Sequence, residues 1–248
     1  MESPLASRTA RELAGVIDHT LLAPGATPAD IERLCSEARA HGFASVCVNG
    51  VHVARCAEHL LGSTVAVGTV IGFPHGSHLT STKVFEAQQA LADGAIELDM
   101  VIQIGALKSG RDDDVQADIE AIVGVAHAAG AIVKVIFENA YLTDEEKIRA
   151  CRLSEAAGAD FVKTSTGFAP GGATHDDLRL MRANTSPHIQ VKAAGGVRTL
   201  DALLEVMALG TTRIGATATK AIIDDFRARK AGTAPAIPAA GATLEGGY

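Results

Sequence analysis

Four short phrases recur along this chain: "AHGFAS" at 40–45, "ADGAIE" at 92–97, "AAGAIV" at 128–133 and "AAGADF" at 156–161. In each, a helix-like run stops at a glycine and a β-rich run begins almost at once. Glycine after a helix is the usual left-handed stop. A chain punctuated in this way alternates helix and strand, and it does so about every 30 residues, the length of one βα unit. The segments between the phrases are not self-similar, so this is not a solenoid.

The strand candidates are "VIDHTLL" from Val16, "SVCVN" from Ser45, "VAVGTVIGF" from Val65, "AIELDMVI" from Ala95, "IVKVIFE" from Ile132, "FVKTSTG" from Phe161, "IQVKAAGG" from Ile189 and "RIGATAT" from Arg213. Amphipathic runs separate them. Two open on capping signals, Thr27 with Pro28 and Thr143 with Glu146, and they end at Gly42 and Gly158. Eight βα units in 248 residues predict an α/β fold, a single closed (β/α)8 TIM barrel. The competing architecture is an open doubly wound sheet, but its early glycine-rich dinucleotide fingerprint is missing. The barrel is expected over residues 1–230. Residues 231–248, rich in Ala, Gly and Pro, read as a flexible tail ending in Tyr248.

A net charge of −7 argues against a general nucleic-acid binder. No run approaches the ~20 apolar residues of a membrane span, and no signal peptide is evident. Cys35, Cys47, Cys56 and Cys151 form no CxxC pair. Reduced thiols and a cytoplasmic setting are the expectation.

The chemistry lies in polar residues inside apolar strands. Alternate strand residues point into a barrel. That rule groups Phe161, Lys163 and Ser165; Gln190, Lys192 and Ala194; Glu97, Asp99 and Val101; and Lys134 with Ile132 and Ile136. Turned inward, these faces bring three lysines and two acids together. Lys163 and Lys192 lie on consecutive strands, which sit about 4.8 Å apart. Burial and a neighbouring cation both lower a lysine's pKa, and a neutral amine is what Schiff-base chemistry needs. The alternative is a structural ion-pair network in which Asp99 and Glu97 neutralise both lysines. It is the better reading for one strand lysine; two on consecutive strands, each followed by a glycine-rich turn, favour chemistry.

Gly195 and Gly196 follow the seventh strand, Thr199 reads as a helix N-cap, and Gly215 ends the eighth. Loops after strands 7 and 8 are the common phosphate site of a barrel. Gly167 and the "GGAT" of 171–174 are placed to extend it. Tight turning alone explains any one of these glycines equally well. The nine histidines show no metal-binding spacing. His75 sits at the mouth, with a loop role as plausible as a site role. His19 adjoins Asp18 at the end of the first strand, and Asp18 is expected inward and hydrogen-bonded, with structure favoured over catalysis. Cys47 reads as a small core residue, close enough to the site to be aldehyde-sensitive.

Taken together, "DHTLL", "GFPHG", "ELDMVI", "KVIFE", "FVKTSTGF", "GGAT" and "VKAAGGVRT" resemble, in order and spacing, the deoxyribose-phosphate aldolases, a class I aldolase family. The likeness runs from about Ile17 to the end of the eighth strand. It implies reversible cleavage of 2-deoxy-D-ribose 5-phosphate to acetaldehyde and D-glyceraldehyde 3-phosphate, with no cofactor and no metal. It implies Lys163 as the Schiff-base lysine, Lys192 as the lysine that lowers its pKa and Asp99 in proton relay. It further implies Tyr248 as the residue that closes the site and moves a proton, and Gly167, Gly195, Gly196 and Gly215 as the residues that hold phosphate. Its partners are small sugar phosphates and aldehydes, and a homodimer or homotetramer is the expected assembly. Ala193, Phe168, Thr217 and Ala218 depart from some relatives, and those departures bear on phosphate affinity. Two other readings stay open: another sugar-phosphate lyase or isomerase on the same barrel, and a barrel that binds a phosphometabolite without turnover.

Overall fold

A computed structural model describes residues 8–233 of the chain. Eight parallel strands close into a barrel in sequence order: β1 (Ile17–Leu21), β2 (Ser45–Val48), β3 (Ala66–Ile71), β4 (Glu97–Val101), β5 (Ile132–Ile136), β6 (Phe161–Lys163), β7 (Gln190–Ala194) and β8 (Arg213–Ala216). β1 pairs with both β2 and β8, so the open-sheet alternative is excluded. Outside lie α1 (Ala10–Ala14), α2 (Pro28–His41), α3 (Val53–His59), α4 (Thr80–Ala92), α5 (Ile104–Lys108), α6 (Asp112–Ala128), α7 (Asp144–Ala156), α8 (His175–Ala183), α9 (Leu200–Ala208) and α10 (Thr219–Lys230).

The punctuation read in the sequence is physical. Gly42, Gly94, Gly130 and Gly158 all take positive φ, between 70° and 104°. Thr27 and Thr143 close complete capping boxes with Asp30 and Glu146, each cap contributing about 1 kcal/mol. Thr199 caps α9 through the Ala202 amide. The strands' outward apolar residues, among them Val46, Leu98, Val133, Val135, Val162, Val191 and Ile214, are buried and belong to one core together with helix residues such as Ile31, Ile119, Ile122, Leu178 and Leu203.

The strands are shorter than the apolar runs. β6 spans three residues, and its ladder stops at Lys163. Thr164 to Gly167 continue beyond the strand, with Thr164 and Thr166 bonded through their side chains as described below. The tail's Tyr248 lies outside the described residues. Among those described, no helix is long and apolar enough to cross a membrane.

Candidate active site

Strand register decides which charged side chains meet. Lys163 stands beside Lys192 across the β6–β7 ladder, and Asp99 stands beside Lys134 across β4–β5. All four are buried in the barrel interior. One carboxylate oxygen, Asp99 Oδ2, accepts from both Lys163 Nζ at 2.8 Å and Lys192 Nζ at 2.7 Å. Its other oxygen takes Lys134 Nζ at 2.8 Å, and Lys134 also reaches Glu97 Oε2 at 2.7 Å.

Two further residues complete the cluster. Asp18 faces inward from β1 and accepts a short bond from Lys192. It also accepts from Ser45 Oγ at 2.7 Å and from Arg213 Nη1 at 2.6 Å. Arg213 continues to Glu97 Oε2 at 2.9 Å and lies over the Phe161 ring. Glu97 therefore serves Lys134 and Arg213, and Lys192 takes Asp18 as its second acid. The sequence reading gave Asp18 a structural role and left Arg213 out. The signal for Arg213 was there: strand alternation puts it on the face of Gly215.

Counting charges separates the lysines. The cluster holds four bases (Lys134, Lys163, Lys192 and Arg213) and three acids (Asp18, Glu97 and Asp99). Lys134, Lys192 and Arg213 each bond two carboxylates, whereas Lys163 bonds one. The set is neutral when one base gives up its proton, and Lys163 is the base least held. Burial pushes its pKa below the ordinary lysine value; Asp99 opposes that shift and Lys192 adds to it. Burial alone would lower Lys192 as well, but Asp18 and Asp99 together hold it well above the ordinary value. Asp99 stays far below the usual carboxylate range because three lysines outweigh its burial. The cluster thus combines a fixed cation, an ionised acid and an amine poised to lose its proton.

An apolar wall adjoins the charges. Leu22, Cys47 and Val70 form a small buried cluster, with Phe73 packed on it. Phe168, in the loop after β6, meets Phe73 edge-on with centroids 5.3 Å apart. Burial pushes the Cys47 thiol up to about 11, so near neutrality it is a thiol and not a thiolate. Gly195, Gly196, Val197, Arg198, Gly215, Ala216 and Thr217 line a small recess at the ends of β7 and β8. Gly195 and Gly196 have φ of 81° and 89°, which turns the backbone at the approach to the α9 N-terminus. Gly172 packs so closely on Gly195 that a Cβ there would lie 2.7 Å from the Gly195 backbone. Gly215 serves a second purpose, since a side chain on it would press on Lys192 Cε. Gly167, φ 88°, turns the chain out of the Lys163 segment.

His19 points away from the cluster, between Glu37 of α2 and Thr219 of α10. His75 is exposed in the loop after β3. A cavity of about 380 Å³ between the 50–52 turn and α4 contains none of the charged cluster.

The profile of the DeoC/LacD family aldolases matches residues 13–233. The chain belongs to that family. Members of the DeoC/LacD family are aldolases, carbon–carbon lyases, and so is this protein. It is 55% identical to the deoxyribose-phosphate aldolase of Staphylococcus saprophyticus over 205 residues, 83% of this chain and 92% of that one. It is 54% identical to the deoxyribose-phosphate aldolase of Thermococcus gammatolerans over 218 residues, 87% and 97% of the two chains. Among solved structures, the tetrameric deoxyribose phosphate aldolase of Aeropyrum pernix superposes with a TM-score of 0.83 at 32% identity, covering 89% of this chain and 93% of its own. The family assignment and the charged barrel floor point to the same kind of chemistry.

Proposed function

We propose that this aldolase cleaves 2-deoxy-D-ribose 5-phosphate reversibly to acetaldehyde and D-glyceraldehyde 3-phosphate through a Schiff base on Lys163. The observation that carries the proposal is the sharing of Asp99 Oδ2 by two lysine amines in a cluster with one base too many. Neutral Lys163 adds to C1 of the open-chain sugar, and the carbinolamine expels water to leave an iminium. Asp99, through a water and Lys192, takes the proton of the C3 hydroxyl. The C2–C3 bond breaks, its electron pair passes into the iminium to form an enamine, and C3 departs as the aldehyde of glyceraldehyde 3-phosphate. Protonation at C2, which we assign to Tyr248, regenerates an iminium. Water hydrolyses it, releasing acetaldehyde and the free amine.

The substrate's phosphate is assigned to the turns at Gly167, Gly195, Gly196 and Gly215. Positive-φ glycines ahead of a helix N-terminus suit an anion. The apolar wall of Leu22, Cys47, Val70 and Phe73 suits the two-carbon donor. A cytoplasmic setting fits four buried, unpaired cysteines, and a homodimer or homotetramer is the assembly proposed. Borohydride reduction in the presence of acetaldehyde, followed by peptide mapping, tests the mechanism: the adduct is expected on Lys163. An adduct on another lysine, or none, overturns it. A panel of sugar phosphates read by acetaldehyde release tests the substrate.

A further inference from the structure

Glu138 is the one residue other than glycine among the described residues with positive φ, 57°. It lies two residues beyond the end of β5 and is buried, with 3% of its surface exposed. A non-glycine residue in this region costs about 1 kcal/mol or more, and such strain persists only where the surroundings impose it. A carboxylate withdrawn from water adds to that cost. Two unfavourable choices at one residue need a compensating role.

The contacts of Glu138 converge on one place. Its carboxylate accepts from the Thr166 amide at 3.2 Å and, by a short bond, from Thr166 Oγ1. Thr166 Oγ1 in turn accepts from the Phe168 amide at 3.0 Å. The backbone on either side grips the same segment: Phe137 N–H donates to Lys163 O and Asn139 N–H to Thr164 O, both at 3.0 Å. From the far side, Thr164 exchanges bonds with Ala194 of β7, its Oγ1 donating to the carbonyl and accepting from the amide, each at 3.1 Å. The ladder of β6 ends at Lys163, and beyond it the Thr164 amide still donates to the Lys192 carbonyl at 3.2 Å. Two residues further on, Thr166 is held by Glu138. The left-handed turn at Glu138 bends its own chain so that the carboxylate meets Thr166.

We propose that Glu138 is a positioning residue of the aldolase reaction: through Thr166 it clamps the segment from Lys163 to Phe168, fixing the direction of the Lys163 amine and the Gly167 turn together. This rests on the assignment of Lys163 as the Schiff-base lysine. The Thr166 amide and Thr166 Oγ1 both donate to Glu138 Oε2, so the single carbonyl oxygen of a glutamine can accept both bonds without the charge. A misplacement of about 1 Å at a reacting group costs on the order of 10²-fold in rate.

The test compares Glu138→Ala, Glu138→Gln, Glu138→Gly and Thr166→Val in the full chain. Glu138→Ala and Thr166→Val are each expected to lower kcat/KM on the order of 10²-fold, and the double variant Glu138→Ala/Thr166→Val to be no worse than either single one. Glu138→Gln is expected to restore most of the rate. Glu138→Gly relieves the backbone strain, so it should melt at or above the temperature of Glu138→Ala while turning over as poorly. Peptide mapping after borohydride treatment should still find the adduct on Lys163 in every variant, formed more slowly where the clamp is cut. Loss of the wild-type adduct from Lys163 sinks the mechanism and not the clamp. Normal turnover in Thr166→Val, additive losses in the double variant, or a Glu138→Gln enzyme as slow as Glu138→Ala would each overturn the clamp.

Discussion

Four lysines among the described residues are almost wholly enclosed, and two of them, Lys83 and Lys163, lead opposite lives. Lys83, on α4 outside the barrel, donates to Asp118 Oδ2 at 2.5 Å and to the Val101 carbonyl at 2.8 Å. Asp118 also accepts from Thr80 Oγ1 at 2.7 Å. Lys163, inside the barrel, shares its single carboxylate oxygen with Lys192. Burial lowers the pKa of both lysines. Exposure therefore does not distinguish them, and neither does the direction of the shift. Matching does. Lys83 has an acid of its own and joins α4 to α6. Lys163 belongs to a group in which bases outnumber acids, so its proton is the one the barrel does not need.

The largest effect is expected from Lys163→Leu. Activity and borohydride trapping should fall to background, while three bases against three acids leave the folded state within about 1–2 kcal/mol of wild type in denaturant titrations. A large loss of stability would show that Lys163 is held charged. Next comes Lys192→Leu. With that cation gone, Asp18 and Asp99 are short of positive charge, and Lys163 keeps its proton to higher pH. The acid limb of kcat/KM, which marks the loss of neutral amine as pH falls, should move up by about one unit or more. An unmoved limb breaks the link between the two lysines.

Lys83→Met reads the other side of the comparison. It strands Asp118 and should cost about 3–5 kcal/mol of stability, whereas Lys83→Met/Asp118→Leu should recover much of that. Turnover by the folded fraction should stay within about threefold, because the pair acts on packing and not on charge at the amine. The smallest effect is expected at Gly195→Ala. Its φ of 81° and a Gly172 Cα only 2.9 Å from the new Cβ force the turn to shift. KM for the phosphorylated substrate should rise roughly tenfold, in line with about 1–3 kcal/mol of local strain, with acetaldehyde trapping unchanged.

Much of this comparison was legible before any coordinates. The barrel could be read because four helices end in a glycine phrase and each strand is a short apolar run. The inward lysines could be read because strand alternation is strict. Pairing was harder. Which acid serves which lysine depends on register across strands far apart in sequence, so the ion-pair alternative could name only Asp99 and Glu97 for the two lysines, whereas the acids bonded to Lys192 are Asp18 and Asp99. Lys83 gave no signal, since a lysine in the run "TSTKVFEAQQ" reads like any on a solvated helix. Glu138 was visible only as the last residue of the fifth strand. A left-handed backbone at a glutamate has no signature in residue type; it arises from what the neighbouring strand demands.

The first and last strands meet along a seam, and the site lies across it. Asp18 bonds Lys192 and Arg213, partners 174 and 195 positions further along the chain. A nascent chain that has not yet delivered β8 has no Arg213 for Asp18 and no closed ring around Lys163. Such contacts are the most costly in loop entropy and the last to be rewarded. Completing the fold and assembling the amine's surroundings are therefore one event, and a chain truncated before β8 is left without the closed ring and without the full set of charges that frees Lys163.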